Sequence, residues 1–156
     1  MALARSHDLL VTGDWKGVSV FELLLSQTKP FGNEERINMS GPSINLNPIA
    51  VQYLGIAFHE LATNSAKYGV LSGDEGSIAA SWEVAGSGPS RTFRLTWAET
   101  DGPKVQTIGQ SGFGSVVLKR VAPEAVGGTS NLEYGPQGIV WTLEAPFSGV
   151  EAIIAA

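Results

Sequence analysis

The chain has no cysteine, which excludes disulfides, thiolate metal sites and a cysteine nucleophile. A reducing compartment is compatible with that composition. It has two histidines, His7 and His59, too few for a histidine-built zinc site. Basic residues are scarce: 10 Lys and Arg stand against 15 Asp and Glu, a net charge of −5, and no basic run occurs. Phosphate backbones attract clustered Lys and Arg, so nucleic acid is set aside as a main partner. No apolar run approaches the length of a membrane span and no signal peptide is visible, so the expected location is cytoplasmic, without direct membrane contact. Apolar residues nevertheless make up 43% of the chain, enough for a folded core. Its 156 residues suit one domain and are too few for two ordinary ones.

The most informative segment is His59 to Gly69, HELATNSAKYG. Read as helix, it places Glu60, Asn64, Lys67 and Tyr68 at i, i+4, i+7 and i+8, one stripe on one face. Leu54, Phe58 and Leu61 fall on a neighbouring face and are free to enter a core. Carboxylate and carboxamide oxygens are ligands for hard Mg2+, and a lysine meets phosphate, so the stripe suits a metal-nucleotide. The competing reading is an amphipathic surface helix whose polar side only faces water. His59 points well away from the stripe and is expected to orient a neighbouring loop or strand.

Alternating helices and strands with short turns are expected along the chain. Residues 2–11 read as the end of a helix that starts without a cap. Residues 20–28 form an amphipathic helix closed by Lys29-Pro30. Residues 36–40 and 43–46 are short strands around Gly41-Pro42. Asn47-Pro48 reads as N-cap and first residue of a helix running to Tyr68 and ending at Gly69. Strands follow at 77–84 and 92–97, then a loop from Asp101 to Gly112. A helix over 113–121 is expected to kink or end at Pro123, with Gly127-Gly128 closing the region. A hairpin joins strands 129–134 and 139–145. The order predicts a two-layer α/β sandwich with a mixed, mostly antiparallel sheet packed against helices. Ile78, Trp82, Phe93, Leu95, Trp97, Leu132 and Val140 are expected to face the long helix as core.

Two further segments suit a nucleotide. Glu99 and Asp101 stand where a strand turns into the loop, and an acid there can accept a hydrogen bond from an exocyclic adenine amine. Gly102 would let a ring approach the backbone. A hairpin end with solvated acids reads equally from composition. Gly112-Phe113-Gly114-Ser115 precedes a helix, and free N–H groups at a helix start suit phosphates.

In that order, the asparagine-box segment His59–Gly69, Trp97-x-Glu99 and Gly112-Phe113-Gly114-Ser115 resemble the HWE subfamily of sensor histidine kinases, over nearly the whole chain. The resemblance implies the Bergerat ATP-binding fold, ATP and Mg2+ as ligands, and phosphoryl transfer to a histidine. By position it implies that Asn64 holds Mg2+ and that Glu60 organises the metal's water shell or assists proton removal from the acceptor. Lys67 would meet the phosphate chain, Tyr68 the adenine or sugar, and Glu99 the adenine amine. Gly112 and Gly114, with Phe113 and Ser115 between and beside them, would close the phosphate end. The family often has Gly-Gly-Pro where this chain has Asp101-Gly102-Pro103, so Asp101 competes with Glu99 as the base-reading acid; spacing favours Glu99.

The family's acceptor motif does not occur in these residues. Residues 1–12 are therefore expected to be the tail of an upstream dimerisation helix, 13–148 the catalytic and ATP-binding domain, and 149–156 a C-terminal tail. Implied partners are the kinase's own dimerisation and phosphoacceptor domain, an upstream sensor and a response regulator, within a homodimeric full-length kinase. The segment 101–112 would act as a lid over the nucleotide. Two alternatives carry the same fold: a degenerate domain that binds ATP without transfer, and an anti-sigma serine kinase acting on a partner protein.

Overall fold

The computed structural model describes residues 17–103, 113–136 and 138–152. The expected helix over 2–11 and the lid residues 104–112 lie outside the described residues.

Strand β1 (Val18–Ser19) leads directly into helix α1 (Val20–Thr28), whose N-cap Ser19 accepts the Glu22 amide at 3.0 Å. Val20, Leu23, Leu24, Gln27 and Thr28 form its buried stripe at helical spacing. Strand β2 (Ile37–Ser40) and the short β3 (Asn45–Leu46) follow. Helix α2 (Pro48–Tyr68) starts as its sequence dictates: the Asn47 side chain accepts the Ala50 amide at 2.8 Å, and Pro48 occupies a position whose N–H has no helical partner anyway. Gly69 ends it, donating its amide to Ser65.

Strands β4 (Ser77–Ala85) and β5 (Thr92–Thr100) are antiparallel. Helix α3 (Phe113–Val116) continues through a π-helical turn (Val117–Val121) into helix α4 (Ala122–Ala125). Strands β6 (Thr129–Gly135) and β7 (Gly138–Pro146) close the chain as a hairpin. The main sheet has the order β2-β4-β5-β7-β6, parallel only between β2 and β4. Helices pack on one side of this mixed sheet, so the expected two-layer α/β architecture is the observed one. No helix among the described residues is long and apolar enough to cross a membrane.

Several local expectations change. Val140 is half-buried and points to the other side of the sheet, while Ile139, Trp141 and Leu143 enter the core. Pairing of Trp141 with Trp97 and of Leu143 with Leu95 sets that phase, because directly opposed residues share a face. The strand expected over 43–46 shrinks to β3 and pairs with β1, apart from the main sheet. Residues 149–152, expected as tail, join the fold: Val150 is fully buried, Glu151 bridges Leu46, and the Ala152 amide bonds Asn45.

The helical stretch runs past Pro123 to Ala125. The Ala122 amide reaches back five residues to the Val117 carbonyl, the hallmark of a π turn. The next such bond would run from residue 123 to the Leu118 carbonyl, and proline has no N–H to make it. That carbonyl instead accepts the Trp141 indole at 2.9 Å and the Ser130 hydroxyl at 2.8 Å. Trp141 is thus both a fully buried ring and a tether between sheet and helix. Trp141→Ala is expected to lower unfolding free energy by about 3–5 kcal/mol, read by urea denaturation.

Candidate functional site

Glu60 and Asn64 stand one turn apart on α2, and both are half-buried. Neither side chain has a hydrogen-bond or ion-pair partner among the described residues. Side chains this exposed are hydrated in the free protein, and a ligand can take the place of that water. Lys67 and Tyr68, in the last turn, are exposed. His59 is half-buried and engaged in an interaction of its own.

Asn64 is followed by Ser65, which faces the core and is fully buried. Its hydroxyl donates to Oε1 of Glu99 at 3.0 Å and accepts the Leu71 amide at 3.1 Å. Glu99 belongs to β5, which extends to Thr100, three residues beyond the expected end at Trp97. Its pairing with Ile78 puts it on the core side of the sheet, and it is only 2% exposed. Besides Ser65, Oε1 accepts the Val70 amide at 2.8 Å, and Oε2 accepts the indole N–H of Trp97 at 3.1 Å. The Trp97-x-Glu99 spacing therefore has a direct cause: residues two apart on a strand share a face, and the indole reaches the carboxyl.

Glycine shapes the space around this carboxyl. A Cβ at Gly69 would overlap Oε1 of Glu99, and one at Gly138 would lie 2.7 Å from its Cβ. A carboxyl group has about four acceptor positions, and three are used by protein donors.

Asp101 is placed differently. It is exposed, has a left-handed backbone (φ 58°), and lines a cleft of about 330 Å³ with Ser72, Gly73, Asp74, Glu75, Gly102 and Pro103. Gly102 is half-buried against Val70, where a Cβ would come within 2.9 Å of Cγ2. Phe113 and Gly114 begin α3, Ser115 is half-buried within it, and Gly112 lies outside the described residues. Through Ser65 the structure links the helix carrying Glu60 and Asn64 to Glu99, and it places Asp101 in the cleft beside Asp74 and Glu75. Ser65 escaped notice in the sequence because a serine on the packed side of a helix gives no sign of its partner 34 residues away.

Residues 1–43 match the family model described as HWE histidine kinase. The blue-light-activated histidine kinase of Brucella ovis is 32% identical over 149 residues, covering 94% of this chain and 30% of that protein. Its counterpart from Brucella anthropi gives the same identity and coverage. The chain therefore spans about a third of the length of the curated relatives it matches. Among solved structures, the histidine kinase domain from the Erythrobacter litoralis EL346 blue-light activated histidine kinase superposes with a TM-score of 0.63 at 15% identity, covering 95% of this chain and 76% of that one. The catalytic domain of histidine kinase ThkA gives 0.57 at 15% identity, over 86% and 96%. Sequence and fold together make this chain similar to the HWE histidine kinases, with the fold of histidine kinase catalytic domains.

Proposed function

We propose that the chain binds ATP with Mg2+ and positions the γ-phosphoryl group for transfer to a histidine on a phosphoacceptor domain outside these residues. The observation that carries this reading is the half-buried, unpartnered pair Glu60 and Asn64, one residue from the Ser65–Glu99 hydrogen bond. No cluster of three or more His, Cys, Asp or Glu able to hold a metal exists among the described residues. A carboxamide and one carboxylate are too few ligands for a free divalent ion, and fit one already chelated by a triphosphate. Bound Mg2+ would neutralise charge on the phosphates.

The chain's own residues divide the work. Asn64 holds the metal through its side-chain oxygen, and Lys67 meets the phosphate chain. Tyr68 covers the adenine or sugar. Glu99 offers its remaining acceptor position to the exocyclic amine, while Asp101 sits beside Asp74 and Glu75, an unfavourable place for an anionic ligand. Gly112, Phe113, Gly114 and Ser115 close the phosphate end. In transfer, the acceptor imidazole nitrogen bonds to phosphorus, ADP leaves with the electrons of the broken bond, and Glu60 takes the imidazole proton.

We read residues 13–148, with 149–152 packed on them, as the catalytic domain, and 1–12 as the end of a dimerisation helix. The wider kinase is cytoplasmic, homodimeric and sensor-linked in this reading, and passes phosphate to a response regulator. ThkA has been solved in complex with the response regulator TrrA, which supports the last point by analogy.

The test mixes the chain with its upstream acceptor segment and ATP labelled at the γ position. Acid-labile label on a histidine of that segment is expected. Label on a partner's serine would point to the anti-sigma alternative, and no label to a binding-only domain. Glu60→Gln is expected to slow transfer about 100-fold while changing ATP affinity by less than about threefold, the pattern of a proton acceptor.

A further inference from the structure

Outside the site, Arg36 has an environment unlike that of any other cation in the described residues. Its guanidinium makes four hydrogen bonds, all to backbone carbonyls of one loop. Nε donates to Gly76 at 3.1 Å and Nη1 to Gly73 at 2.8 Å. Nη2 donates to Val70 at 2.7 Å and to Glu75 at 2.6 Å. No carboxylate pairs with it among the described residues. A guanidinium is planar and holds five donors in a fixed fork, so four carbonyls converging on it are held in a fixed relative arrangement.

That loop, residues 69–76, connects α2 to β4, and its other side is bound to the base end of the site. Val70 is held at both ends: its carbonyl by Arg36, and its amide, in the preceding peptide, by Oε1 of Glu99. The next amide, Leu71, bonds Ser65. At the loop's exit Gly76 has φ 98° and lies so close to the end of β5 that a Cβ would be 2.8 Å from the Thr100 carbonyl. Arg36 and Glu99 are therefore linked through a single residue, Val70.

We infer that Arg36 is a positioning residue for base recognition: by clamping the 70–76 loop it fixes the Val70 amide, and through it the orientation of the Glu99 carboxyl that reads the adenine amine. The inference rests on the assignment of Glu99 as the base-reading acid. A clamp that is released leaves Val70 free to move and displaces one of the three donors that orient the carboxyl, so the loss falls on ligands that use the amine.

The experiment compares ATP with inosine triphosphate, which carries an oxo group in place of the amine, by calorimetry on the 156-residue chain with Mg2+. Wild type is expected to prefer ATP, since a site built to receive a hydrogen bond rejects a ligand that cannot give it. Arg36→Ala is expected to weaken ATP binding by about tenfold, the scale of one charge-assisted hydrogen bond, and to leave inosine triphosphate within about twofold. Arg36→Lys, which keeps the charge but offers a point donor, should fall between and also guards against a poorly folded alanine variant. Hydrogen exchange gives a second readout: the Val70 and Leu71 amides should lose protection in both variants. Equal wild-type affinity for the two nucleotides removes the Glu99 assignment and this inference with it. A discriminating wild type, with Arg36→Lys showing unchanged preference and unchanged Val70 protection, overturns the inference alone.

Discussion

Asn64→Ala is expected to abolish Mg2+-dependent retention of ATP, with a loss of affinity of at least about 30-fold, or ~2 kcal/mol. The magnitude follows from the scarcity of alternatives. The described residues offer no acidic cluster that would hold the ion without Asn64. Glu60, one turn away on α2, is the carboxylate on the same stripe. Because Asn64 is half-buried with no partner among the described residues, removing its carboxamide breaks no hydrogen bond to them. The variant should therefore melt within a few degrees of wild type, so that lost binding and lost folding are separable. Calorimetry with ATP in millimolar Mg2+ and in EDTA makes the measurement. Unchanged affinity in Mg2+ would remove Asn64 from the metal.

The second large effect is on stability. Glu99→Ala is expected to cost about 3–5 kcal/mol, because it strands several buried donors at once. The Ser65 hydroxyl can rotate to another acceptor, but the Val70 amide and the Trp97 indole are fixed by backbone and ring. Each buried donor without a partner costs about 1–3 kcal/mol. Glu99→Gln keeps the volume but replaces an acceptor with an NH2 group that confronts one of the three donors. It should cost less, about 1–2 kcal/mol, and still impair ATP binding. Guanidinium-induced unfolding of the two variants ranks them. An alanine variant as stable as wild type would mean that these three bonds are not formed together.

The parts of the fold governed by local rules were legible in the sequence. Asn47-Pro48 and Gly69 announced both ends of α2, and the spacing of Leu54, Phe58 and Leu61 announced its packed face. The parts decided by distant partners were not. Ile139-Val140-Trp141 is apolar throughout, so alternation alone leaves its phase open, and only pairing of Trp141 with Trp97 decides it. Ala98-Glu99-Thr100 reads as the start of a polar turn; a charged residue goes into the core there because donors from α2 and from the loop after it meet it. Arg36 read as the first residue of a strand, and the carbonyls it holds lie 34 to 40 residues further along the chain. The polar stripe of α2 was visible from spacing, whereas the hydroxyl that links it to β5 was not.

The π turn at Val117–Val121 has a consequence for how the helix is held. A π turn takes one residue more than an α turn, so the surplus residue is absorbed in the bulge and the helix on either side keeps its course. What the bulge changes is the bonding within it: the Leu118 carbonyl is left outside the helical ladder and holds the Trp141 indole. Shortening the turn by a single residue would keep Phe113–Val116 on the same azimuth, yet draw that carbonyl back into the ladder and unhook the helix from the sheet.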